Sequence, residues 1–245
     1  MNYIREVLAL LFLAFMLILE VPFHFVTWLI GLSSPQKCLE ARYRYVQFVL
    51  RGIWFFAGGK IKVIGAERIP KDRAVLFVGT HRSIFDIVIA AVNIPMPTGF
   101  IAKKELENTP LKLAMDGIRC LFLDRQDPRK GLKTILTAIE YIKEGQSMLI
   151  FPEGTRSKKE EELLPFHAGS FKIATKAECP VVPFTIVGSG DLFEDHFPVL
   201  KCKDVVIEFG EPIETAGMDR AAQRELPERV KEIIAQTYEK DAALL

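Results

Sequence analysis

The chain is poor in the residues that usually announce a metal site or a disulfide framework: its 245 residues include four cysteines and four histidines. Cys38, Cys120, Cys179 and Cys202 lie far apart, form no CxxC pair and have no histidine at ligand spacing. No metal is expected, and a reducing compartment is the simpler reading. An excess of one charge is also missing. Lys and Arg total 32 against 31 Asp and Glu, a formal net charge of +1, which gives no electrostatic ground for a nucleic-acid partner. A P-loop, a dinucleotide fingerprint, an EF-hand and a G-x-S-x-G elbow are all absent, so no cofactor is expected and no serine stands out as a nucleophile. With 49% hydrophobic and 26% charged residues, the composition excludes disorder and collagen, and only the 18 Phe are unusual.

Charge is unevenly laid out. Residues 1–35 carry only Arg5, Glu6 and Glu20, a net of −1, whereas residues 36–60 carry Lys37, Arg42, Arg44, Arg51 and Lys60 against Glu40, a net of +4. The remainder then carries −2, so near-neutrality hides an apolar head, a basic collar and a faintly acidic body. Residues 7–19 (VLALLFLAFMLIL) are apolar throughout, Glu20 and Pro22 interrupt them, and residues 23–32 resume the apolar character. A membrane span needs about 20 such residues. The head is therefore compatible with one span that tolerates Glu20, with two helices dipping into one leaflet, or with a signal peptide. The last is disfavoured because Glu20-Val21-Pro22 stands where a small-residue cleavage site belongs.

In the collar, Leu39, Tyr43, Val46, Leu50 and Ile53 recur at spacings of four and three, while Lys37, Arg44 and Arg51 recur on roughly the opposite side. This pattern predicts an amphipathic helix on an anionic membrane surface, with a helix packed on the domain as the competing reading. Residues 1–57 are thus expected to anchor the chain to a phospholipid membrane, and residues 58–245 to form the body on its cytoplasmic side.

In the body, short apolar runs alternate with helical periodicities. Strands are predicted at 60–64, 74–79, 120–123, 148–151, 181–187 and 205–209, and helices near 84–92, 111–116, 129–143, 170–177 and 220–238. The alternation predicts an α/β domain with a mostly parallel central sheet flanked by helices and a ligand site beyond the carboxyl ends of the strands. The run KKEEE at 158–162 is predicted to be a solvated loop.

Three predicted strand ends carry polar side chains. The first runs into Thr80-His81-Arg82-Ser83-Ile84-Phe85-Asp86. Five residues apart on one helix would set His81 and Asp86 about 140° apart, so they meet only if His81 sits in the turn before the helix. There Asp86 can orient the imidazole and leave its other nitrogen to take a proton from a hydroxyl. A buried histidine satisfied by a local carboxylate fits H-x4-D equally well. The second end delivers Asp124-Arg125, with Lys103-Lys104 earlier in the chain; the third delivers Glu153, Gly154, Thr155 and Arg156. An arginine in such a turn can clamp a phosphate, and Glu153 can hold a substrate hydroxyl. Surface ion pairs explain any one of these ends, but poorly explain why all three follow strands.

On these residues the chain resembles the 1-acylglycerol-3-phosphate acyltransferase family. Four motifs occur in the family's order: His81 to Asp86; Gly117 to Arg125 (GIRCLFLDR), with Lys103 to Leu106 ahead of it; Phe151 to Ser157 (FPEGTRS); and Val181-Val182-Pro183-Phe184. Thr80 stands where Asn often precedes the histidine, and His167-Ala168 stand where Lys is frequent.

The resemblance implies transfer of an acyl chain from acyl-CoA or acyl carrier protein to the sn-2 hydroxyl of lysophosphatidic acid, giving phosphatidic acid. It implies His81 as general base and Asp86 as its orienter. Arg125, Arg156 and Lys104 would bind the phosphate; Glu153 and Gly154 would shape the glycerol site; Thr155 would also bind substrate; Pro183 would help position the acyl donor. A glycerol-3-phosphate or other lysophospholipid acyltransferase, or a non-catalytic lipid-binding module, are the alternatives.

Overall fold

The computed structural model describes residues 2–158 and 163–245. The predicted loop at 158–162 therefore lies, apart from Lys158, outside the described residues. Two long helices come first, α1 (Asn2–Gly31) and α2 (Pro35–Ala57). The body follows in the order β1 (Ile61–Ile64), β2 (Leu76–Gly79), α3 (Phe85–Asn93), β3 (Thr98–Lys103), α4 (Lys112–Gly117), β4 (Leu121–Leu123) and α5 (Pro128–Lys143). It closes with β5 (Ser147–Ile150), α6 (Ala168–Ala177), β6 (Val181–Val187), β7 (Val205–Phe209) and α7 (Arg220–Ala242).

The strands form one sheet in the order β1-β7-β6-β2-β5-β3-β4. Every neighbouring pair is parallel except β6 with β7, which is antiparallel. The central strands β2, β5 and β6 are buried along their whole length, as expected of strands covered on both faces. One face packs Phe77, Phe184, Phe209 and Ile89 with residues of α2 and α3. The other packs Leu76, Met148, Phe171 and Ile150 with residues of α5, α6 and α7. Cys120 and Cys179 are part of these two cores, and burial pushes each thiol up to about 12, which leaves neither as a nucleophile near neutrality.

One expectation changes. The collar helix α2 exists, but its apolar stripe faces the domain and not lipid. Tyr43 is 2% exposed and donates its hydroxyl to the carbonyls of Ala91 and Ile94, Gln47 donates to the same two carbonyls at 2.8 and 2.9 Å, and Val46, Leu50 and Ile53 pack on the core. The end of α3 supplies those carbonyls, because Asn93 is its last residue and the helix leaves them without intrahelical donors. The basic stripe of Lys37, Arg44 and Arg51 stays exposed.

Of the alternatives for the apolar head, the structure has a single helix, which Glu20 and Pro22 do not break. Glu20 is 3% exposed and Thr27 fully buried, both on the side facing α2, where Arg42 Nε donates to Thr27 Oγ1 at 2.9 Å. The close approach of the two helices needs Gly52, because a Cβ there would lie 2.3 Å from the Phe12 ring. The opposite side of α1 exposes Leu10, Leu11, Phe15, Ile18, Val21, Phe25 and Trp28. The helix is long and apolar enough, over Tyr3–Gly31, to cross a membrane.

Candidate active site

The carboxyl ends of β2 and β5 lie side by side, with Val78 opposite Ile150, so the loops after both strands emerge together. Gly79 is the last residue of β2, and the site admits only glycine because a Cβ there would come within 2.4 Å of the buried Phe184 ring. The chain then turns through Thr80 and His81 into α3. Ser83 Oγ accepts the Phe85 N–H at 3.0 Å, and the Asp86 carboxylate folds back to accept the N–H groups of Arg82 and Ser83 at 2.7 Å each. A negative group among free amides at a helix start is favourable.

The same Asp86 oxygen lies 3.0 Å from His81 Nδ1. Because that oxygen already accepts from two amides, Nδ1 carries the hydrogen of the contact, and Nε2 is left as the acceptor. Asp86 is 1% exposed and the His81 side chain 15% exposed, so the orienting group is buried while the ring keeps access to solvent. The H-x4-D pair thus meets in the turn, as the angular argument requires.

Phe151, directly after β5, stacks on the His81 ring with centroids 4.3 Å apart and planes 11° from parallel. Phe184 of β6 supports Phe151 from the side at 6.0 Å. Sequence reasoning assigned Phe151 no role, although its place between a buried strand and the Pro-Glu-Gly turn was visible.

Glu153 is turned inward. Its Oε1 accepts the His81 N–H at 2.9 Å and its Oε2 accepts the Leu164 N–H at 3.1 Å, and the Ser157 N–H donates to the His81 carbonyl at 2.8 Å. This carboxylate braces the His81 loop. Burial raises its pKa above the ordinary carboxylate value, and the two amides and His81 oppose that rise.

Gly154 adopts φ +74°, and a Cβ on it would sit 3.2 Å from the His167 ring and 3.5 Å from the Arg125 guanidinium carbon. Arg125 and His167 therefore flank the third-motif turn. His167 leads into α6, and its N–H donates to the Pro152 carbonyl at 2.9 Å. A cleft of about 430 Å³ opens beside Arg125, its charged lining being Lys103, Lys104 and Arg125 with Glu105 and Asp124. In it Lys104 Nζ bonds Asp124 at 2.7 Å, which holds the Asp124 carboxyl below and the Lys104 ammonium above their ordinary values.

Thr155 and Arg156 are exposed, and Arg156 Nη1 bonds Glu194 at 2.7 Å. Pro183 is buried within β6, opposite Val78, and its carbonyl accepts the Gly210 N–H. Of the residues singled out from sequence, His81, Asp86 and Glu153 form one bonded group. Gly154 and Arg125 adjoin it, Lys104 lines the cleft with Arg125, Arg156 is drawn to the segment after β6, and Pro183 lies in the sheet. Among the described residues no cluster of His, Cys, Asp and Glu fit to hold a metal occurs.

An imidazole oriented by a buried carboxylate thus stands at the carboxyl ends of a mostly parallel sheet, and the third-motif turn that braces it adjoins Arg125 of the cleft. The Acyltransferase family pattern matches residues 60–187, and the chain belongs to that family. It is 31% identical over 212 residues to the Mycoplasma pneumoniae protein named "Probable 1-acyl-sn-glycerol-3-phosphate acyltransferase", covering 81% of this chain and 79% of that one. It is 27% identical to the 1-acyl-sn-glycerol-3-phosphate acyltransferase of Saccharomyces cerevisiae over 96% of this chain and 77% of the yeast protein. The crystal structure of the 1-acyl-sn-glycerophosphate acyltransferase PlsC from Thermotoga maritima matches with a TM-score of 0.81 at 26% identity, covering 98% of this chain and 97% of that one.

Proposed function

We propose that the chain transfers a fatty acyl group from an acyl thioester, carried on coenzyme A or acyl carrier protein, to the sn-2 hydroxyl of lysophosphatidic acid. The observation that carries this reading is the Asp86-oriented His81 ring, with Nε2 left as acceptor, braced by a turn that adjoins Arg125 of the cleft. Nε2 takes the hydroxyl proton as the oxygen attacks the thioester carbonyl, and the tetrahedral intermediate collapses by breaking the C–S bond. The proton on Nε2 then passes to the departing thiolate, so the ester, the free thiol and neutral His81 are recovered without a covalent enzyme intermediate. Phe151 holds the ring face and Glu153 the loop backbone, which limits the orientations His81 must search. Arg125, Arg156 and Lys104 supply positive charge for the acceptor phosphate.

Membrane association follows from the same reading. The apolar outer side of α1 takes the chain to the bilayer that holds the acceptor, and the exposed Lys37, Arg44 and Arg51 favour the cytoplasmic leaflet.

The test is turnover of purified full-length protein with lysophosphatidic acid and each thioester, in detergent and in bilayers. Phosphatidic acid is expected with at least one donor, and no product with either rejects the reading. His81→Ala should lower kcat by about a thousandfold or more with acceptor affinity kept, since both base and positioned proton donor are lost. Substantial residual turnover in that variant rules out the general-base role.

A further inference from the structure

We infer that Glu194, which lies outside all four motifs, is a positioning residue for the acceptor phosphate, holding Arg156 by one corner of its guanidinium so that the other edge meets the substrate. The inference rests on the proposed use of a phosphate-bearing acceptor. After β6 the chain folds back through two short turns, Gly190–Leu192 and Glu194–His196. Fully buried Leu192 anchors them, together with Phe193, which packs edge-on against Phe85 of α3 at 6.2 Å.

Glu194 Oε1 then accepts two hydrogen bonds of 2.7 Å, one from the Ile84 N–H just ahead of α3 and one from Arg156 Nη1. Asp195 next to it pairs with Arg82, whose Nη1 donates to the Ser157 carbonyl at 3.2 Å. Two adjacent carboxylates outside the motifs therefore take up the arginines of the first and third motifs.

The geometry separates positioning from competition. The Glu194 side chain is 15% exposed, and its Oε2 is buried with no partner among the described residues. Moving Arg156 away would leave that carboxylate buried without a counterion, which is costly, so an arriving phosphate does not displace it. A guanidinium has five donors, and the contact to Glu194 uses one of them. The Nε–Nη2 edge remains to bond two phosphate oxygens, and the Arg156 side chain is 45% exposed. The bond from Ile84 fixes Glu194 against the start of the helix that carries Asp86, so phosphate and hydroxyl are referred to the same piece of backbone.

The experiment uses the full chain in detergent micelles, with Glu194→Ala, Glu194→Gln, Arg156→Ala and the double variant Glu194→Ala/Arg156→Ala. Glu194→Ala should raise KM for lysophosphatidic acid about tenfold while kcat stays within about threefold, since uniform binding and not the chemical step is weakened. Glu194→Gln keeps an acceptor for the Ile84 N–H and should fall between wild type and Glu194→Ala. The double variant should be no worse than Arg156→Ala alone, because the two residues act as one unit. Additive losses, or a fall in kcat at unchanged KM, overturn the inference. Calorimetric binding of a 2-deoxy analogue of lysophosphatidic acid, which cannot be acylated, gives the comparison without turnover. Equal affinity of wild type and Glu194→Ala overturns the inference. A wild type that binds the analogue but forms no product counts against the proposed reaction, and the affinity comparison still decides the role of Glu194.

Discussion

The His81 ring is gripped on its edge by Asp86 and on its face by Phe151, and only the first of these grips has a signature in the sequence. A histidine and an aspartate five apart can be tested by helix geometry. A stacking phenylalanine seventy residues on cannot, because its contact depends on β2 and β5 being neighbours in the sheet. The same holds for Glu194, which meets Arg156 only because the segment after β6 folds back across the loops. Gly154 is the position where a single methyl group is most informative. At φ +74° an alanine costs on the order of 1 kcal/mol in backbone strain, and its Cβ would press on the His167 ring and touch Arg125. Gly154→Ala should therefore fold with a slightly lower melting temperature while its kcat/KM for the acceptor falls about tenfold or more. Wild-type kinetics in that variant would show that the turn does not shape the site.

Among elements, α7 is closed against the sheet by buried carboxylates. Asp241, fully buried near its end, accepts from Thr185 Oγ1 at 3.3 Å, while Glu208 of β7 accepts from Arg68 and Lys240. Burial and the nearby Glu208 raise the Asp241 carboxyl, whereas Lys240 and Arg68 hold Glu208 down. A group raised on folding contributes stability that is present below its unfolded pKa and lost as pH rises through its folded one. Asp241→Asn, which stays neutral and keeps an acceptor for Thr185, should thus gain melting temperature over wild type as pH rises above the ordinary carboxylate range. A constant difference across pH would contradict this.

Most elements were legible because buried strands and amphipathic helices leave periodic traces, as in β6 and α5. The strand Thr98–Lys103 was missed: Pro95 and Pro97 precede it and Gly99 interrupts its apolar run. That glycine is required because a Cβ would lie 2.6 Å from the Arg119 carbonyl, a contact made in space and not along the chain. For α2 the periodicity was right and its partner wrong, since one apolar stripe serves a lipid surface or the back of α3 equally well.

At the scale of the whole molecule the two N-terminal helices divide their tasks. Removing residues 1–33 should leave a folded body that no longer floats with vesicles, because Pro35–Ala57 still covers the core through Tyr43 and Gln47. Removing residues 1–56 should expose that core and give an aggregating or molten product by circular dichroism. Undiminished flotation of the shorter deletion would assign membrane binding elsewhere.

The polar stripe on α1 has one more effect. Arg42 of α2 grips Thr27 near one end of the helix, and the Leu200 N–H meets Glu6 near the other, so the helix is tied to its neighbours at both ends. At 30 residues it is a rod of about 45 Å. Tied at both ends, it works as a gauge: at whatever level this apolar rod comes to rest, the loop bearing His81 is carried at a height fixed by the same two ties.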